Sequence, residues 1–199
     1  MNIFVTGTDT GIGKTTVSAW ICMHTQADYR KLIQTGNDSD GDTVKRISPH
    51  TRIIPEICRL KAPLSPYDAA KRENIRINSA AFRENYENTV FEGSGGALVP
   101  VTEDLFMADL VKQCGAAALI VAKSQSGMIN HILMTAEILR ARNADIIGII
   151  VNGETDGDLI ATVEKFSNLK VLSIIPRGDN LTETLRHTGI PAEISEIIK

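Results

Sequence analysis

The chain has 199 residues, which suits one core of ordinary size and is short for two. Hydrophobic residues make up 43% and charged residues 23%, a balance that excludes intrinsic disorder and a collagen-like repeat. Three widely spaced cysteines exclude a disulfide scaffold. The net charge of −3 argues against a nucleic-acid-binding surface but leaves room for a site that holds one small anion.

Short apolar runs alternate along the chain with longer stretches of helical periodicity. The runs predict strands, in chain order, at residues 3–6, 31–34, 89–92, 117–122, 146–151 and 171–175. Helices are predicted between them at residues 14–24, 104–113, 128–142 and 157–166. This alternation indicates an α/β fold, in which a mostly parallel sheet has helices on both faces.

No repeat, linker or low-complexity tract divides the chain, so residues 1–199 are interpreted as a single domain. Residues 36–65 show the least regular pattern and are expected to hold functional loops. The chain begins without the basic and apolar regions of a secretory signal, and its longest apolar run, at residues 116–122, is far too short to cross a membrane. We therefore expect a soluble cytoplasmic protein that binds neither membrane nor nucleic acid.

A glycine-rich segment, GTDTGIGKTT at residues 7–16, connects the first predicted strand to the first predicted helix. Glycines let backbone N–H groups surround a phosphate, and the N-terminus of the following helix adds partial positive charge. Lys14 is suited to reach the β- and γ-phosphates, and the Thr15 hydroxyl is suited to bind Mg²⁺. Five residues rather than four separate Gly7 from Gly13, but the strand, the GKT sequence and the helix together predict an ATP or GTP site of the P-loop type.

Carboxylates follow two of the other predicted strands. Asp40 comes soon after the second strand, and Glu92 ends the third beside Gly93, Ser94 and Gly95. Ligands of such sheets bind outside the carboxyl ends of the strands, where carboxylates can hold Mg²⁺. Either residue alone would read as an ordinary loop residue, but together with the phosphate loop they are candidates for a metal pair.

Seven segments of the chain, taken in order, resemble the dethiobiotin synthetase family. The resemblance covers nearly the whole chain, and the order and spacing of the segments make it specific. The segments are GTDTGIGKT at 7–15, KLIQTG at 31–36, SD at 39–40, LSPYDAA at 64–70, EGSGG at 92–96, GMINH at 127–131 and VN at 151–152.

The resemblance implies an ATP-dependent cyclo-ligase of biotin biosynthesis. In that family CO₂ and 7,8-diaminopelargonate form a carbamate, which attacks the γ-phosphate of MgATP to give a carbamic-phosphoric anhydride. The second amine then displaces phosphate and closes the ureido ring of dethiobiotin. Such chemistry requires positioning and charge neutralisation more than covalent catalysis.

The resemblance also assigns roles to residues of this chain. Lys31 and Lys14 are the implied catalytic lysines, and Leu32 stands where the family usually has proline. The implied metal ligands are Thr15, Asp40 and Glu92, and Thr35 is implied to contact the substrate. The implied nucleotide-binding residues are Gly11, Ile12, Gly13, Lys14, Thr15, Thr16, Asp40, Glu92, Gly93, Ser94, Gly95, Asn152, Pro176, Arg177 and Gly178.

The family resemblance further implies a homodimer in which the substrate site lies at the subunit interface. The distal carboxylate of the diamine is expected to meet the start of a helix from the partner subunit, whose free N–H groups suit an anion. In this chain that helix start comprises Gly127, Met128, Ile129 and Asn130. Taken without the resemblance, these residues look like an ordinary helix start.

Two other functions share this kind of nucleotide domain. An amidoligase of the cobyrinate a,c-diamide synthase type carries a glutaminase domain after it, for which 199 residues leave no room. A nucleotide switch of the partition or septum-placement (ParA or MinD) type usually has a second lysine early in the phosphate loop, and residues 7–12 contain none. Both alternatives are therefore less favoured.

Purine preference and the effect of Gly153, where the family often has a polar residue, stay open, as does the role of Asp9.

Overall fold

The computed structural model describes residues 1–83 and 85–198. The strands are β1 (Asn2–Gly7), β2 (Asp28–Lys31), β3 (Ile33–Thr35), β4 (Cys58–Leu60), β5 (Thr89–Glu92), β6 (Ala116–Lys123), β7 (Ile146–Asn152) and β8 (Val171–Ile175). The helices are α1 (Lys14–His24), α2 (Asp40–Ile47), α3 (Pro66–Glu73), α4 (Asp109–Gln113), α5 (Met128–Ala141), α6 (Gly157–Ser167), α7 (Leu181–His187) and α8 (Ala192–Ser195), with a 3₁₀ helix at Ser79–Arg83.

Six strands form one sheet in the order β2-β5-β1-β6-β7-β8, and each neighbouring pair is parallel. Strands β3 and β4 form a separate parallel pair. In a parallel sheet the carboxyl ends of the strands lie along one edge, so the segments that follow β1, β2 and β5 meet there.

The two faces of the sheet bury two separate apolar clusters. Alternate residues of β1 divide between them: Phe4 belongs to one cluster, and Ile3 and Val5 belong to the other. Helix α5 packs on the Phe4 side through Ile132, whereas α1 packs on the opposite side through Trp20. Helices therefore cover both faces, and the predicted α/β class is confirmed.

The predicted strand at residues 31–34 is wrong in one respect, because the chain changes partner at Leu32. Lys31 lies opposite Glu92 in the main sheet, but Ile33 lies opposite Cys58 in the small one. The Leu32 N–H still donates to the Glu92 carbonyl at 3.1 Å, and the Leu32 carbonyl accepts from the Ile57 N–H at 3.0 Å. Leu32 is therefore hydrogen-bonded to β5 through its N–H and to the residue before β4 through its carbonyl. The apolar run at residues 31–34 does not indicate this change of partner strand.

The predicted helix at residues 104–113 is half as long in the structure, because α4 begins only at Asp109. The preceding N–H groups are already used by other carbonyls: Met107 donates to Val99 at 2.9 Å, and Ala108 donates to Ala97 at 2.9 Å. These bonds hold residues 97–108 as an irregular loop, although the apolar spacing over residues 104–113 resembles that of a helix.

Residues 36–65, expected to be loops, contain α2 and β4. Ser39 caps α2 by accepting a hydrogen bond from the Asp42 N–H at 3.2 Å, and Val44 and Ile47 are its buried apolar residues. The helix matters for the site because Asp40 is its first residue.

Among the described helices, none is long and apolar enough to cross a membrane.

Candidate functional site: four side chains above the phosphate loop

The loop between β1 and α1 brings its backbone back toward the sheet. Gly13 adopts a φ of +92°, and a Cβ at this position would collide with the side-chain amide of Asn152. The Lys14 ammonium donates to the Asp9 carbonyl at 2.8 Å, which holds the lysine across the loop. Burial and the nearby charge of Lys31 lower the pKa of Lys14 to about 8, against the opposing effect of the neighbouring carboxylates.

Lys31, Thr15, Asp40 and Glu92 come together at the carboxyl edge of the sheet. The Lys31 ammonium lies 2.8 Å from Asp40 Oδ2 and 2.9 Å from Glu92 Oε1. The Thr15 hydroxyl lies 3.1 Å from Asp40 Oδ1 and 2.9 Å from Glu92 Oε1. One lysine, one hydroxyl and two carboxylates therefore share a volume a few ångströms across, although they come from four separate parts of the chain.

Lys31 and Glu92 are buried in this cluster, whereas Asp40 is half-buried. Lys31 is 6% exposed and Glu92 is 1% exposed. Burial opposes the charge of Lys31, but Glu92 and Asp40 outweigh burial and raise the pKa of Lys31 above its usual value. The lysine also donates to the Gly93 carbonyl at 2.9 Å. Its charge is thus fixed in place at neutral pH.

The donor set of this cluster fits a magnesium ion. Thr15, Asp40 and Glu92 offer oxygen atoms, which are the ligands that this hard cation prefers. Among the described residues, no group of three or more His, Cys, Asp or Glu side chains could hold a metal alone. A cation here would therefore complete its coordination with phosphate oxygens and water, as is usual for Mg²⁺ at a phosphate loop.

A cavity of about 850 Å³ opens above these side chains. Thr35 at the end of β3 lines it, so the candidate substrate-binding residue lies in the same space as Lys31. The sequence-predicted residues that line it are Gly11, Gly13, Lys14, Thr15, Thr16, Lys31, Thr35, Asp40, Glu92, Ser94 and Gly95.

A second cavity, of about 470 Å³, adjoins the first and shares Gly11, Gly13 and Thr16 with it. Five more candidate nucleotide residues line this one: Ile12, Asn152, Pro176, Arg177 and Gly178. Gly93, the one other candidate, lines neither cavity, and its carbonyl accepts a hydrogen bond from Lys31. A nucleotide could therefore place its phosphates in the larger cavity and its base in the smaller one.

Asn152 joins the second cavity to the phosphate loop. Its Nδ2 donates to the Ile12 carbonyl at 2.7 Å and to the Gly13 carbonyl at 3.3 Å. Within the described part of the chain, its buried Oδ1 has no hydrogen-bond partner. An unpaired acceptor of this kind suits an exocyclic amine on a ligand.

The candidate carboxylate site lies apart from Lys31. Gly127, Met128, Ile129 and Asn130 line a different cavity, of about 630 Å³, at the start of α5. Gly127 has a φ of +83° and provides no side-chain cap, so the first turn of the helix lacks the usual side-chain acceptor. Within one chain this helix start does not share a cavity with the lysine.

Three further residues contact the site without having received a role from the sequence. The Tyr29 hydroxyl donates to Glu92 Oε2 at 2.9 Å, and the Asp40 N–H donates to Gln34 Oε1 at 3.2 Å. Arg46 of α2 lines the larger cavity. Gln34 lies within the KLIQTG segment that carries part of the family resemblance. The contact of Tyr29 depends on sheet register, and the position of Arg46 depends on a helix that the sequence did not predict.

The profile of the AAA domain family matches residues 1–184. The chain is 43% identical to an ATP-dependent dethiobiotin synthetase of Paramagnetospirillum magneticum over 87% of this chain and 86% of that protein. It is 36% identical to the ATP-dependent dethiobiotin synthetase of Lawsonia intracellularis over 99% and 98% of the two chains.

Among solved structures, a ParA family ATPase from Chlorobium tepidum matches with a TM-score of 0.51, 14% identity and coverage of 98% of this chain and 96% of that one. At that identity the likeness shows the fold alone, which is the P-loop fold predicted from the glycine-rich segment. The sequence relatives decide between the functions that this fold can carry. The chain belongs to the family of ATP-dependent dethiobiotin synthetases, which are ligases of biotin biosynthesis.

Proposed function

We propose that this chain, acting as one nucleotide-binding domain, converts 7,8-diaminopelargonate, CO₂ and ATP into dethiobiotin, ADP and phosphate at the cluster around Lys31. The observation that carries the proposal is the position of the Lys31 ammonium. It lies within 2.9 Å of two carboxylates and in the same cavity as the phosphate loop. A fixed positive charge beside a phosphate site suits a reaction that transfers a phosphoryl group to a carboxylate-like acceptor.

The first step forms the acceptor. One substrate amine attacks CO₂ and loses a proton, which gives a carbamate. Thr35 lines the cavity beside Lys31 and is suited to hydrogen-bond the substrate. Lys31 neutralises the carbamate charge, since its raised pKa keeps the ammonium protonated.

The second step transfers phosphate. A carbamate oxygen attacks the γ-phosphorus, the bond to the β-phosphate oxygen breaks, and ADP leaves. Lys14 and the N–H groups of the loop hold the phosphates. Thr15, Asp40 and Glu92 would hold Mg²⁺, which neutralises phosphate charge when it is bound. Asn152, Pro176, Arg177 and Gly178 would receive the base, with the unpaired Asn152 Oδ1 favouring adenine.

The third step closes the ring. The second amine attacks the carbonyl carbon of the mixed anhydride, loses a proton and expels phosphate. No covalent bond to the protein forms in this sequence, so the protein acts by position and charge.

A homodimer completes the substrate site in this proposal. The amines must reach Lys31, yet the helix start suited to the distal carboxylate opens into another cavity of the same chain. In a symmetric dimer, the helix start of one subunit can face the cavity of its partner.

We further propose a cytoplasmic location, in keeping with three free thiols at Cys22, Cys58 and Cys114 among the described residues.

The experiment that tests the proposal is the dependence of ATP turnover on the diamine. Purified protein with MgATP and bicarbonate should release ADP and phosphate only after 7,8-diaminopelargonate is added. Turnover should stop when EDTA removes the metal and resume with excess Mg²⁺. ADP release at the same rate without the diamine would contradict the proposal and favour a nucleotide switch.

A further inference from the structure

Tyr29 is fully buried directly beneath the site. It lies in β2 two residues before Lys31, and side chains two apart in a strand point to the same face. Its register partner in β5 is Val90, just as Glu92 is the register partner of Lys31. The phenol therefore lies in the same row of side chains as the lysine, one step deeper toward the core.

The two carboxylate oxygens of Glu92 have different partners. Oε1 receives Thr15 Oγ1 at 2.9 Å and Lys31 Nζ at 2.9 Å. Oε2 receives the Tyr29 hydroxyl at 2.9 Å. Because the Tyr29 hydroxyl binds Oε2, only Oε1 is directed at Thr15 and Lys31.

This contact restrains a torsion that is otherwise free. The terminal torsion of a glutamate is broad and nearly two-fold, so an unanchored carboxylate rotates easily. Glu92 is 1% exposed, and water has little access to replace a lost donor at Oε2. The aromatic ring of Tyr29 packs in the apolar cluster beside α1, but that packing would be the same for phenylalanine. The hydroxyl is the part that acts on Glu92.

We propose that Tyr29 is a positioning residue: its hydroxyl fixes the carboxylate of Glu92 so that Oε1 faces the magnesium site. This inference rests on the proposed role of Glu92 as a metal ligand. Hydrogen-bond partners behind a metal ligand set its orientation, and their loss typically weakens metal affinity or activity by about 10- to 100-fold.

The test compares Tyr29→Phe with the unchanged protein. Calorimetry measures binding of a non-hydrolysable ATP analogue with and without Mg²⁺, and a Mg²⁺ titration gives the midpoint. We expect the midpoint to rise by about 10-fold or more. Binding of the analogue without Mg²⁺ should stay unchanged, and kcat at saturating Mg²⁺ should recover toward that of the unchanged protein. If Tyr29 had only a structural role, Tyr29→Phe would weaken binding of the analogue with and without Mg²⁺ and would lower kcat as well, or it would change none of these.

Two further variants separate the possible outcomes. Thr51→Val removes a different buried hydrogen bond, which the Thr51 hydroxyl donates to the Ser48 hydroxyl at 2.8 Å, and should leave the Mg²⁺ midpoint unchanged. Glu92→Gln should raise the midpoint, and adding Tyr29→Phe to it should then have no further effect on the midpoint.

The Mg²⁺ titrations distinguish an error about Tyr29 from an error about Glu92 as a metal ligand. An unchanged midpoint in Tyr29→Phe together with a raised midpoint in Glu92→Gln overturns the role of Tyr29 alone. An unchanged midpoint in Glu92→Gln overturns the proposed metal ligand itself. If Tyr29→Phe unfolds at the assay temperature, the Mg²⁺ midpoints are measured at a temperature below its melting point. If the midpoint shifts of Tyr29→Phe and Glu92→Gln then add up in the double variant, the inference is overturned as well.

Discussion

At the scale of single residues, the proposed chemistry depends on a lysine charge held between two carboxylates. The Lys31 ammonium contacts Asp40 and Glu92, and its raised pKa means that the folded state binds this proton more tightly than the unfolded state. The stability contributed by this charge is therefore fully present at neutral pH and is lost only as the pH rises through the raised pKa. Under the proposed mechanism, Lys31 stabilises its own site as well as the reaction.

Lys31→Ala separates binding from turnover. We expect kcat to fall by about 100- to 1,000-fold, since one charge aimed at the transition state is lost. The ATP analogue should still bind, because Lys14 and the loop remain. Turnover is measured by ADP release and binding by calorimetry, and a thermal melt shows that the variant is folded under assay conditions.

Lys45→Ala is the matched control for that substitution. Lys45 lies on α2 and donates to the Thr51 carbonyl at 2.8 Å, outside the site. It should retain turnover. Unchanged turnover in Lys31→Ala would remove Lys31 from the mechanism.

Much of the site could be predicted from the sequence, because its residues follow strand ends. Thr15, Asp40 and Glu92 lie far apart in the chain, but the parallel sheet brings them to one edge. Tyr29 could not be found in this way. Its contact with Glu92 depends on the register between β2 and β5, which a single sequence does not contain.

At the scale of elements, the break between β2 and β3 positions the lysine strand. A proline at position 32, usual in the family, could not make the hydrogen bond that the Leu32 N–H donates to the Glu92 carbonyl. Leucine therefore adds a main-chain link between the strand of Lys31 and the strand of Glu92. The departure from the family pattern therefore has a structural consequence.

Leu32→Pro tests that link. We expect the free energy of unfolding to fall by about 1–3 kcal/mol, from the lost hydrogen bond and the smaller buried side chain. Turnover should persist, since the contacts of Lys31 are made by its side chain. Leu32→Ala, which keeps the N–H, is the control, and urea unfolding and ADP release are the measurements. A loss of turnover as large as in Lys31→Ala would show instead that the backbone link holds the catalytic geometry.

Element boundaries were predictable only where local pattern and tertiary contacts agree. The helix predicted at residues 14–24 is confirmed, because its apolar residues face one core cluster. Helix α2 was missed although Ser39 and Asp42 form a recognisable cap, since only two of its side chains form an apolar stripe. The start of α4 was placed too early because long-range hydrogen bonds from Met107 and Ala108 override the helical spacing.

At the scale of the whole molecule, the proposed dimer makes each active site depend on two chains. Asn130 is exposed in the first turn of α5, so Asn130→Asp should leave the fold intact while repelling the substrate carboxylate. Mixed with Lys31→Ala, it should form hybrid dimers that contain one intact site. We expect the mixture to regain about one quarter of the activity of the unchanged protein, as random pairing in a symmetric dimer requires.

The measurement is ADP release at a diamine concentration at which each variant alone is nearly inactive. Activity no higher than the average of the two separate variants would contradict a site shared between subunits. Size-exclusion chromatography with light scattering checks that the mixture is dimeric.

The most direct test of the proposed reaction follows the oxygen that joins the carbamate to phosphate. Bicarbonate labelled with oxygen-18 is supplied in unlabelled water with MgATP and the diamine, and the released phosphate is analysed by mass spectrometry. Labelled phosphate should appear together with dethiobiotin and should disappear when the diamine is omitted, because the bridging oxygen of the mixed anhydride comes from CO₂. Unlabelled phosphate, formed while label persists in the bicarbonate, would show that water attacks ATP and would contradict a carbamate acceptor.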